Sequence, residues 1–136
     1  MRAYLVTSFW LASLVLHGPA LAQSAAVRHL DRVAAVRAVR VCIWPDYYGI
    51  TYRDPRTQRL SGIDIDMARE LGKDLGAEVR FVDSSFAKLI DDLTHDACDV
   101  AMFAIGVTPA RQQRLQFTSP HLASEIYAVA SKTNPL

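Results

Sequence analysis

The sequence predicts an α/β fold in which a parallel sheet carries helices on both faces. Three short apolar runs that are typical of buried strands, residues 39–44, 78–82 and 100–105, alternate with two amphipathic helical patterns. Such alternation favours a parallel sheet, because each helix returns the chain to the starting edge of the sheet. The 136 residues are 51% hydrophobic and 21% charged, which is enough apolar material for one packed domain.

The first 22 residues have the pattern of a secretory signal peptide. After a positively charged start, residues 5–16 are mostly apolar, and Ala20-Leu21-Ala22 matches the small-x-small cleavage pattern. The apolar stretch is short for a membrane span, with an uncleaved anchor as the alternative. We predict export and cleavage before Gln23, followed by a tether or short helix over residues 23–38 whose arginines are solvated.

The helices have recognisable ends. Asp64 is predicted to cap the first helix, and Gly76 to terminate it. Ser84 or Ser85 is predicted to cap the second helix. The expected inward positions are Ile65, Ala68, Leu71 and Leu75 in the first helix and Phe86, Leu89, Ile90 and Leu93 in the second.

Other segments are predicted to be short. Residues 54–58 form a turn between two extended pieces, residues 50–53 and 59–62. Thr108 is expected to cap a short helix that has Pro109 at its first position. One more apolar strand is predicted at residues 126–130.

Composition disfavours several classes of protein. The formal net charge of +1 gives no reason to expect a nucleic-acid surface. The two cysteines form no CxxC motif or Cys/His cluster, so neither a metal nor another cofactor is expected. No catalytic residue stands out, since Ser84 and Ser85 lack a nucleophile elbow and Asp64 and Asp66 fit the start of a helix.

Cys42 and Cys98 can form a disulfide if the protein is exported. Each lies near the start of a predicted strand, and the first and third strands should be neighbours in the sheet. The alternative is two buried free thiols.

The strongest local feature for binding is the segment from Ala104 to Arg111. It follows a buried strand at its carboxyl end, where open α/β sheets bind ligands. Gly106 permits close approach to the backbone, and the helix after Thr108 presents free N–H groups. Arg111 adds a guanidinium that can clamp a carboxylate. The structural alternative, that these residues are only a turn, a cap and a surface arginine, is equally consistent with the local sequence.

Aromatic residues are expected at the same edge. Trp44, Tyr47 and Tyr48 follow the first strand, and Phe86 opens the second helix. Aromatic walls around a charged clamp suit a small zwitterionic ligand. Phe86 by itself is more typical of core packing than of a ligand wall, whereas Tyr47 and Tyr48 are better candidates because they lie in a predicted loop.

Together these segments resemble the family 3 extracellular solute-binding proteins, the polar amino-acid receptors of ABC importers. The resemblance covers almost everything from Val39 to Lys132. The matching stretches are residues 40–52, LSGIDIDMARELGKDLG, FVDSSFAKLIDDL, CDVAMFAIGVTPARQQRLQFTSP and EIYAVASK, in that order.

The resemblance implies a binding protein and not an enzyme. It would be the periplasmic substrate-binding component of an ABC importer, with a small amino-acid-like solute and an inner-membrane permease as partners. By the family pattern Arg111 would hold the α-carboxylate. Thr108 and the backbone near Ala104 and Gly106 would assist, and Tyr47, Phe86 and Trp44 would flank the side chain.

The family pattern also implies two α/β lobes that close on the ligand. Residues 39–132 would form the first lobe, and the second is expected to be missing from this sequence. Many relatives carry Ser or Thr where Gly106 stands, and Gly49-Ile50 replaces a usual Pro-Phe pair. These departures leave the solute open.

Three alternatives to a transport receptor remain. The chain can be a sensor input domain of a signalling protein, or a truncated product without independent function. It can also be an enzyme of the same fold, since a few such proteins are periplasmic dehydratases of cyclic acids. An enzyme needs a general acid over the site, which the sequence does not reveal.

Overall fold

The computed structural model describes residues 29–124, 127 and 129–133. The predicted signal peptide, residues 1–22, lies outside these residues. Residues 29–36 form a first helix, α1. The elements that follow are β1 (Ala38–Ile43), β2 (Asp46–Tyr47), β3 (Thr51–Arg53), β4 (Leu60–Ser61), α2 (Ile63–Asp74), β5 (Glu78–Asp83), α3 (Leu89–Thr94), β6 (Val100–Ala101) and α4 (Pro109–Gln112). None of the described helices is long and apolar enough to cross a membrane.

A three-stranded parallel sheet with the order β5-β1-β6 organises the fold. β1 pairs with β5 over its whole length, from Ala38 opposite Glu78 to Ile43 opposite Asp83. β1 pairs with β6 only at Val41–Val100 and Cys42–Ala101. The predicted parallel sheet is confirmed, and all three strands end at the same edge. A second, antiparallel sheet of order β2-β3-β4 lies between β1 and α2 in the chain.

Two hydrophobic layers cover the parallel sheet, because successive side chains of a strand point to opposite faces. The layer against α1 and α2 contains Val33, Val39, Val41, Ile43, Ile65 and Ala68. The layer against α3 contains Cys42, Leu89, Cys98 and Phe103. Helices therefore lie on both faces, as the sequence predicts.

The start of α2 is capped by backbone groups. Its N-cap is Gly62, which has a φ of 127°. A Cβ added at Gly62 would lie 2.2 Å from the Ile50 carbonyl oxygen, so both the backbone angle and the lack of space exclude a side chain here. The N–H of Ile63 donates to the carbonyl of Gly49 at 3.1 Å. The N–H of Asp64 donates to the carbonyl of Ile50, also at 3.1 Å. The prediction that Asp64 caps α2 is therefore wrong, and its carboxylate is free for other contacts.

The helix α3 begins later than the sequence predicts. Its N-cap is Lys88, without a side-chain cap. Ser85 stabilises the preceding turn: its hydroxyl accepts from the Lys88 N–H at 3.3 Å, as the sequence predicts for a cap, and its carbonyl accepts from the N–H groups of Lys88 at 3.1 Å and Leu89 at 2.9 Å. Phe86 lies in this turn, before the first residue of α3, with 37% of its surface exposed.

The third parallel strand is shorter than predicted. β6 ends at Ala101, and Ala104 has a φ of 50°, in the left-handed region that turns the chain away from β1. The predicted short helix is present as α4, with Thr108 as its N-cap and Pro109 at its first position. The predicted strand at residues 126–130 lies partly outside the described residues, and its described members have no regular secondary structure.

A buried carboxylate ties α1 to the sheet. Asp99, whose side chain is only 4% exposed, accepts hydrogen bonds from the backbone N–H of Arg40 at 2.7 Å and from Nη2 of Arg40 at 2.8 Å. Arg32 of α1 also pairs with it, and Nδ1 of His29 lies 3.4 Å away. Burial acts to raise the pKa of Asp99, but the bonds from Arg40 and Arg32 outweigh burial and lower it well below its usual range. The prediction that the arginines of this segment are solvated is therefore wrong for Arg32.

Cys42 and Cys98 are joined by a disulfide, with their Cα atoms 5.7 Å apart. Cys42 lies near the end of β1 and not near its start, and Cys98 immediately precedes the residues that lead into β6. The neighbouring positions of β1 and β6 bring the two residues together. Both are fully buried, in the layer against α3.

Candidate functional site

An aromatic cluster of Trp44, Tyr47 and Phe86 stands at the carboxyl edge of the parallel sheet. Trp44 directly follows β1, Tyr47 ends β2, and Phe86 follows β5. The ring of Trp44 lies 5.3 Å from that of Tyr47 and 5.2 Å from that of Phe86, centroid to centroid. Phe86 also contacts the buried ring of Phe103 at 5.1 Å. These ring contacts therefore anchor a partly exposed aromatic surface to the core.

Arg111 lies over this cluster. Its guanidinium carbon is 5.5 Å from the centroid of the Phe86 ring, which is the range of a cation–π interaction. Its Nη1 donates to the carbonyl of Gly106 at 2.8 Å. The ion pairs in the described part of the chain all use other residues. Two contacts thus hold the guanidinium in place while most of its five N–H donors stay available.

Thr108 stands one turn before Arg111 and caps α4. Its hydroxyl oxygen accepts from the backbone N–H of Arg111 at 3.3 Å. A hydroxyl that accepts one bond can still donate its own proton. α4 has only four residues, so it contributes individual N–H groups and a fixed direction for Arg111, without the macrodipole of a long helix.

Gly106 and Ala104 form the backbone below Arg111. A Cβ added at Gly106 would meet only Nη1 of Arg111, at 3.9 Å, so there is room for a side chain or a ligand atom at that position. The N–H of Ala104 is occupied within the protein, since it donates to Oδ2 of Asp64 at 2.7 Å. The Ala104 N–H is therefore not available to a ligand, and a backbone contact to a ligand would have to come from another group of this segment.

Tyr48 is not part of the aromatic cluster. It is 82% exposed, and its ring packs at 5.3 Å on Tyr52 of β3. These two tyrosines line a shallow groove of the antiparallel sheet with Asp54, Thr57, Arg59, Leu60 and Ser61. The structure thus brings together Trp44, Tyr47, Phe86 and Arg111, and places Tyr48 beside a different surface.

Sequence reasoning did not identify the contact between Asp64 and His121. Asp64 is fully buried, and its Oδ1 lies 3.2 Å from Nε2 of His121. Its Oδ2 holds the N–H of Ala104. An Asp at the start of a helix is usually a cap, so the local sequence offers no sign of a partner 40 or 57 residues further on.

The chemistry that this arrangement offers is the binding of an anion beside an aromatic surface. Residues 29–124, 127 and 129–133 contain no group of three or more His, Cys, Asp or Glu side chains that could hold a metal ion. A guanidinium with open donors and a hydroxyl in the same turn match the two oxygens of a carboxylate. The rings of Trp44, Tyr47 and Phe86 offer apolar and π contacts to the rest of a small ligand.

Fold and site together define an α/β ligand-binding lobe. A sequence model of the bacterial extracellular solute-binding proteins, family 3, matches residues 39–136. The chain therefore belongs to this family, and its described residues form the parallel-sheet architecture of the periplasmic binding proteins.

Curated relatives include both an enzyme and binding proteins. A cyclohexadienyl dehydratase of Pseudomonas aeruginosa is 35% identical over 82% of this chain and 41% of its own length. The ABC transporter arginine-binding protein 1 of Escherichia coli is 32% identical over 52% of this chain and 29% of its own length. The histidine-binding periplasmic protein of Salmonella typhimurium is 28% identical over 76% of this chain. The chain thus spans well under half the length of these relatives.

The similar solved structures also include both a dehydratase and amino-acid-binding proteins. An ancestral cyclohexadienyl dehydratase superposes with a TM-score of 0.65 at 39% identity, over 68% of this chain and 38% of its own. An ancestral cationic amino acid solute binding protein superposes with a TM-score of 0.65 at 30% identity. A mutant of domain 1 from TmArgBP, in its arginine-bound form, superposes with a TM-score of 0.64 at 25% identity over 68% of this chain and 71% of its own.

Proposed function

We propose that this chain is the substrate-binding component of an ABC importer and binds a small amino-acid-like solute through its carboxylate. The observation that carries the proposal is the position of Arg111 over Phe86, with most of its donors open. A carboxylate that meets a fixed guanidinium avoids the entropic cost of ordering a free arginine side chain.

Each part of the site has a separate role in the proposed complex. Arg111 forms a bidentate pair with the carboxylate, and the Thr108 hydroxyl donates a further bond. Trp44, Tyr47 and Phe86 contact the remainder of the solute. Because Arg111 is cationic and the aromatic faces are electron-rich, this surface suits a ligand with one carboxylate and one apolar or cationic end.

The relatives support an amino acid as the solute. Proteins that match this chain are named for binding arginine, histidine and cystine. TmArgBP domain 1, a single domain of similar architecture, is known in an arginine-bound form. The histidine-binding relatives are named as periplasmic proteins, which supports the proposed export and cleavage before Gln23. The arginine-binding relative is named for an ABC transporter, which supports an inner-membrane permease as partner.

A second candidate function is a dehydratase. The observation that favours it is the 35% identity to the Pseudomonas aeruginosa cyclohexadienyl dehydratase over 82% of this chain. Such an enzyme would use the same carboxylate clamp but also needs an acid positioned at the leaving hydroxyl. Among the described residues, the contacts of the Trp44–Tyr47–Phe86 cluster and of Arg111 include no carboxyl group.

Calorimetric titration of the chain from Gln23 with arginine, histidine and cystine tests the proposal. Each amino acid is paired with the amine that lacks its carboxylate groups: agmatine for arginine, histamine for histidine and cystamine for cystine. We expect at least one amino acid to bind and its amine to bind about ten- to a hundredfold more weakly, since a charge-assisted bond is lost. Equal affinity for acid and amine contradicts the proposal. Conversion of a hydroxylated cyclohexadienyl compound to its aromatic product, followed by absorbance, would establish the dehydratase instead.

A further inference from the structure

We infer that Asp64 is a positioning residue for the carboxylate site: its buried carboxylate fixes the backbone that presents Gly106, Thr108 and Arg111. The inference rests on the proposed function, to which it adds a residue that the ligand does not touch. It follows from two features that occur together: a fully buried acidic side chain and an unusual backbone conformation at Ala104. Ala104 begins the segment from Ala104 to Arg111, which is called the site segment below.

The first observation is the bond that Asp64 makes to the site segment. Oδ2 of Asp64 accepts from the N–H of Ala104 at 2.7 Å, a charge-assisted hydrogen bond of ordinary length. Ala104 is the residue at which the chain leaves the direction of β6, with a φ of 50°. A non-glycine residue in the left-handed region is strained, so the surroundings must hold it there. The Asp64 carboxylate is the group in contact with the Ala104 N–H.

The second observation is that α2 does not use this carboxylate. The carbonyls of Gly49 and Ile50 satisfy the first N–H groups of the helix. Asp64 is nevertheless fully buried, which is costly for a carboxylate unless it is well bonded. Because Asp64 does not cap its own helix, the contacts at its two carboxylate oxygens must offset the cost of its burial.

The third observation is the partner on the other oxygen. Nε2 of His121 lies 3.2 Å from Oδ1 of Asp64. His121 belongs to the segment after α4, so the carboxylate bridges the chain on both sides of Arg111. The two contacts orient the carboxylate, and with it the segment between Ala104 and His121.

The consequence for binding is geometric. The Gly106 carbonyl, which holds Nη1 of Arg111, is two residues beyond Ala104. If the backbone at Ala104 relaxes, the Gly106 carbonyl moves and Arg111 loses one of its two fixed contacts. Loss of Asp64 should therefore weaken ligand binding although Asp64 makes no contact with the ligand.

The test compares Asp64→Ala, Asp64→Asn and His121→Ala with the wild type in two measurements. Hydrogen exchange of the Ala104 amide reports on the backbone without any ligand. Titration with arginine, histidine and cystine, of which the wild type is expected to bind at least one, reports on the site. Loss of a charge-assisted acceptor should accelerate Ala104 exchange in Asp64→Ala by roughly ten- to a hundredfold and weaken binding by about tenfold or more. Asp64→Asn keeps one acceptor oxygen and should restore both values to within about threefold of the wild type.

The matched control is Asp99→Ala. Asp99 is also buried and also accepts a backbone N–H at 2.7 Å, but it lies at the amino end of β6. This variant should lose stability while the affinity of the folded protein stays unchanged. Measurements are made at low temperature on samples shown by circular dichroism to be folded.

Each outcome decides the inference. Unchanged Ala104 exchange in Asp64→Ala overturns it, as does faster exchange with unchanged affinity. Equal weakening of binding by Asp99→Ala would show that general loosening of the fold is responsible, which also overturns it. If Asp64→Ala does not fold, His121→Ala decides, because His121 is 41% exposed and its removal should still accelerate Ala104 exchange. Failure of the wild type to bind any carboxylate refutes the proposed function, and the exchange of Ala104 then decides by itself whether Asp64 holds the backbone.

Discussion

Replacement of Arg111 by Ala should weaken binding of the carboxylate ligand without unfolding the protein. The side chain is partly exposed, and its described contacts are the Gly106 carbonyl and the face of Phe86. Neither contact belongs to the two buried layers, so the free energy of unfolding should change by no more than about 0.5 kcal/mol.

The size of the binding effect follows from what Arg111 offers. Hydrogen bonds to charged groups contribute about 1.5–3 kcal/mol each, which corresponds to a loss of about ten- to a hundredfold or more in affinity. Arg111→Lys keeps the charge but replaces the planar fork by a single ammonium, so its affinity should lie between those of the wild type and Arg111→Ala.

Isothermal titration at constant salt measures these affinities, with Arg114→Ala as the matched control. Arg114 is exposed and follows α4, and it has the same charge. The control should bind within about twofold of the wild type, because exposed charges at the rim contribute little. Equal losses in Arg111→Ala and Arg114→Ala would show that only the overall positive charge matters and would refute the assignment of Arg111.

Three further predictions concern the fold and the aromatic cluster. The disulfide closes a sequence separation of 56 residues, for which chain entropy predicts a stabilisation of about 4 kcal/mol; urea unfolding with and without reductant measures it, and a difference near zero would contradict the prediction. Because the pKa of Asp99 is lowered in the folded state, its stabilisation is present above the unfolded-state pKa of about 3.9 and is lost as the pH falls below that value. Asp99→Asn should therefore cost about 3 kcal/mol at neutral pH, and its deficit relative to the wild type should shrink in acid; a deficit that does not change between neutral pH and about pH 3 would exclude an ionised Asp99 as the cause. Phe86→Leu removes the ring beneath Arg111 and should weaken binding by about two- to fivefold while it shifts the fluorescence of Trp44; titration and an emission spectrum check both, and unchanged affinity would remove the cation–π contact from the site.

The parallel sheet and the helix α2 were predictable because their signals extend over many residues. β1 and β5 pair over six residues each, and the alternation of β1 between two apolar layers is visible in the sequence. Gly76 closes α2 with a φ of 59°, as its position after the periodic residues indicates.

Features set by distant contacts were not predictable from local patterns. The apolar residues 100–105 have the composition of a strand, but β6 stops at Ala101 because Ala104 turns the chain. Asp64 is a residue type that often caps helices and lies near the start of α2, yet its side chain contacts Ala104 and His121. Each error arose where a tertiary contact replaced a local preference.

The same distinction applies to the candidate site. The carboxyl ends of parallel strands share one edge of the sheet, and the order of strands and helices in the sequence is enough to predict this. That rule correctly brings together Trp44, Tyr47, Phe86 and Arg111. Tyr48 directly follows Tyr47 in the chain, but its ring packs on Tyr52. The direction of one side chain in a tight turn depends on backbone angles that composition does not encode.

The most direct test of the central claim, that Arg111 binds the ligand carboxylate, is a thermodynamic cycle across that contact. Affinities are measured by calorimetry for wild type and Arg111→Ala, each with an amino acid that the wild type binds and with the matching amine that lacks the carboxylate. If the two groups interact directly, removal of the carboxylate should cost the wild type about ten- to a hundredfold more affinity than it costs Arg111→Ala, which keeps only the bond from Thr108; the coupling is then about 1.5–3 kcal/mol. Equal losses in both proteins, and therefore no coupling, would contradict the claim.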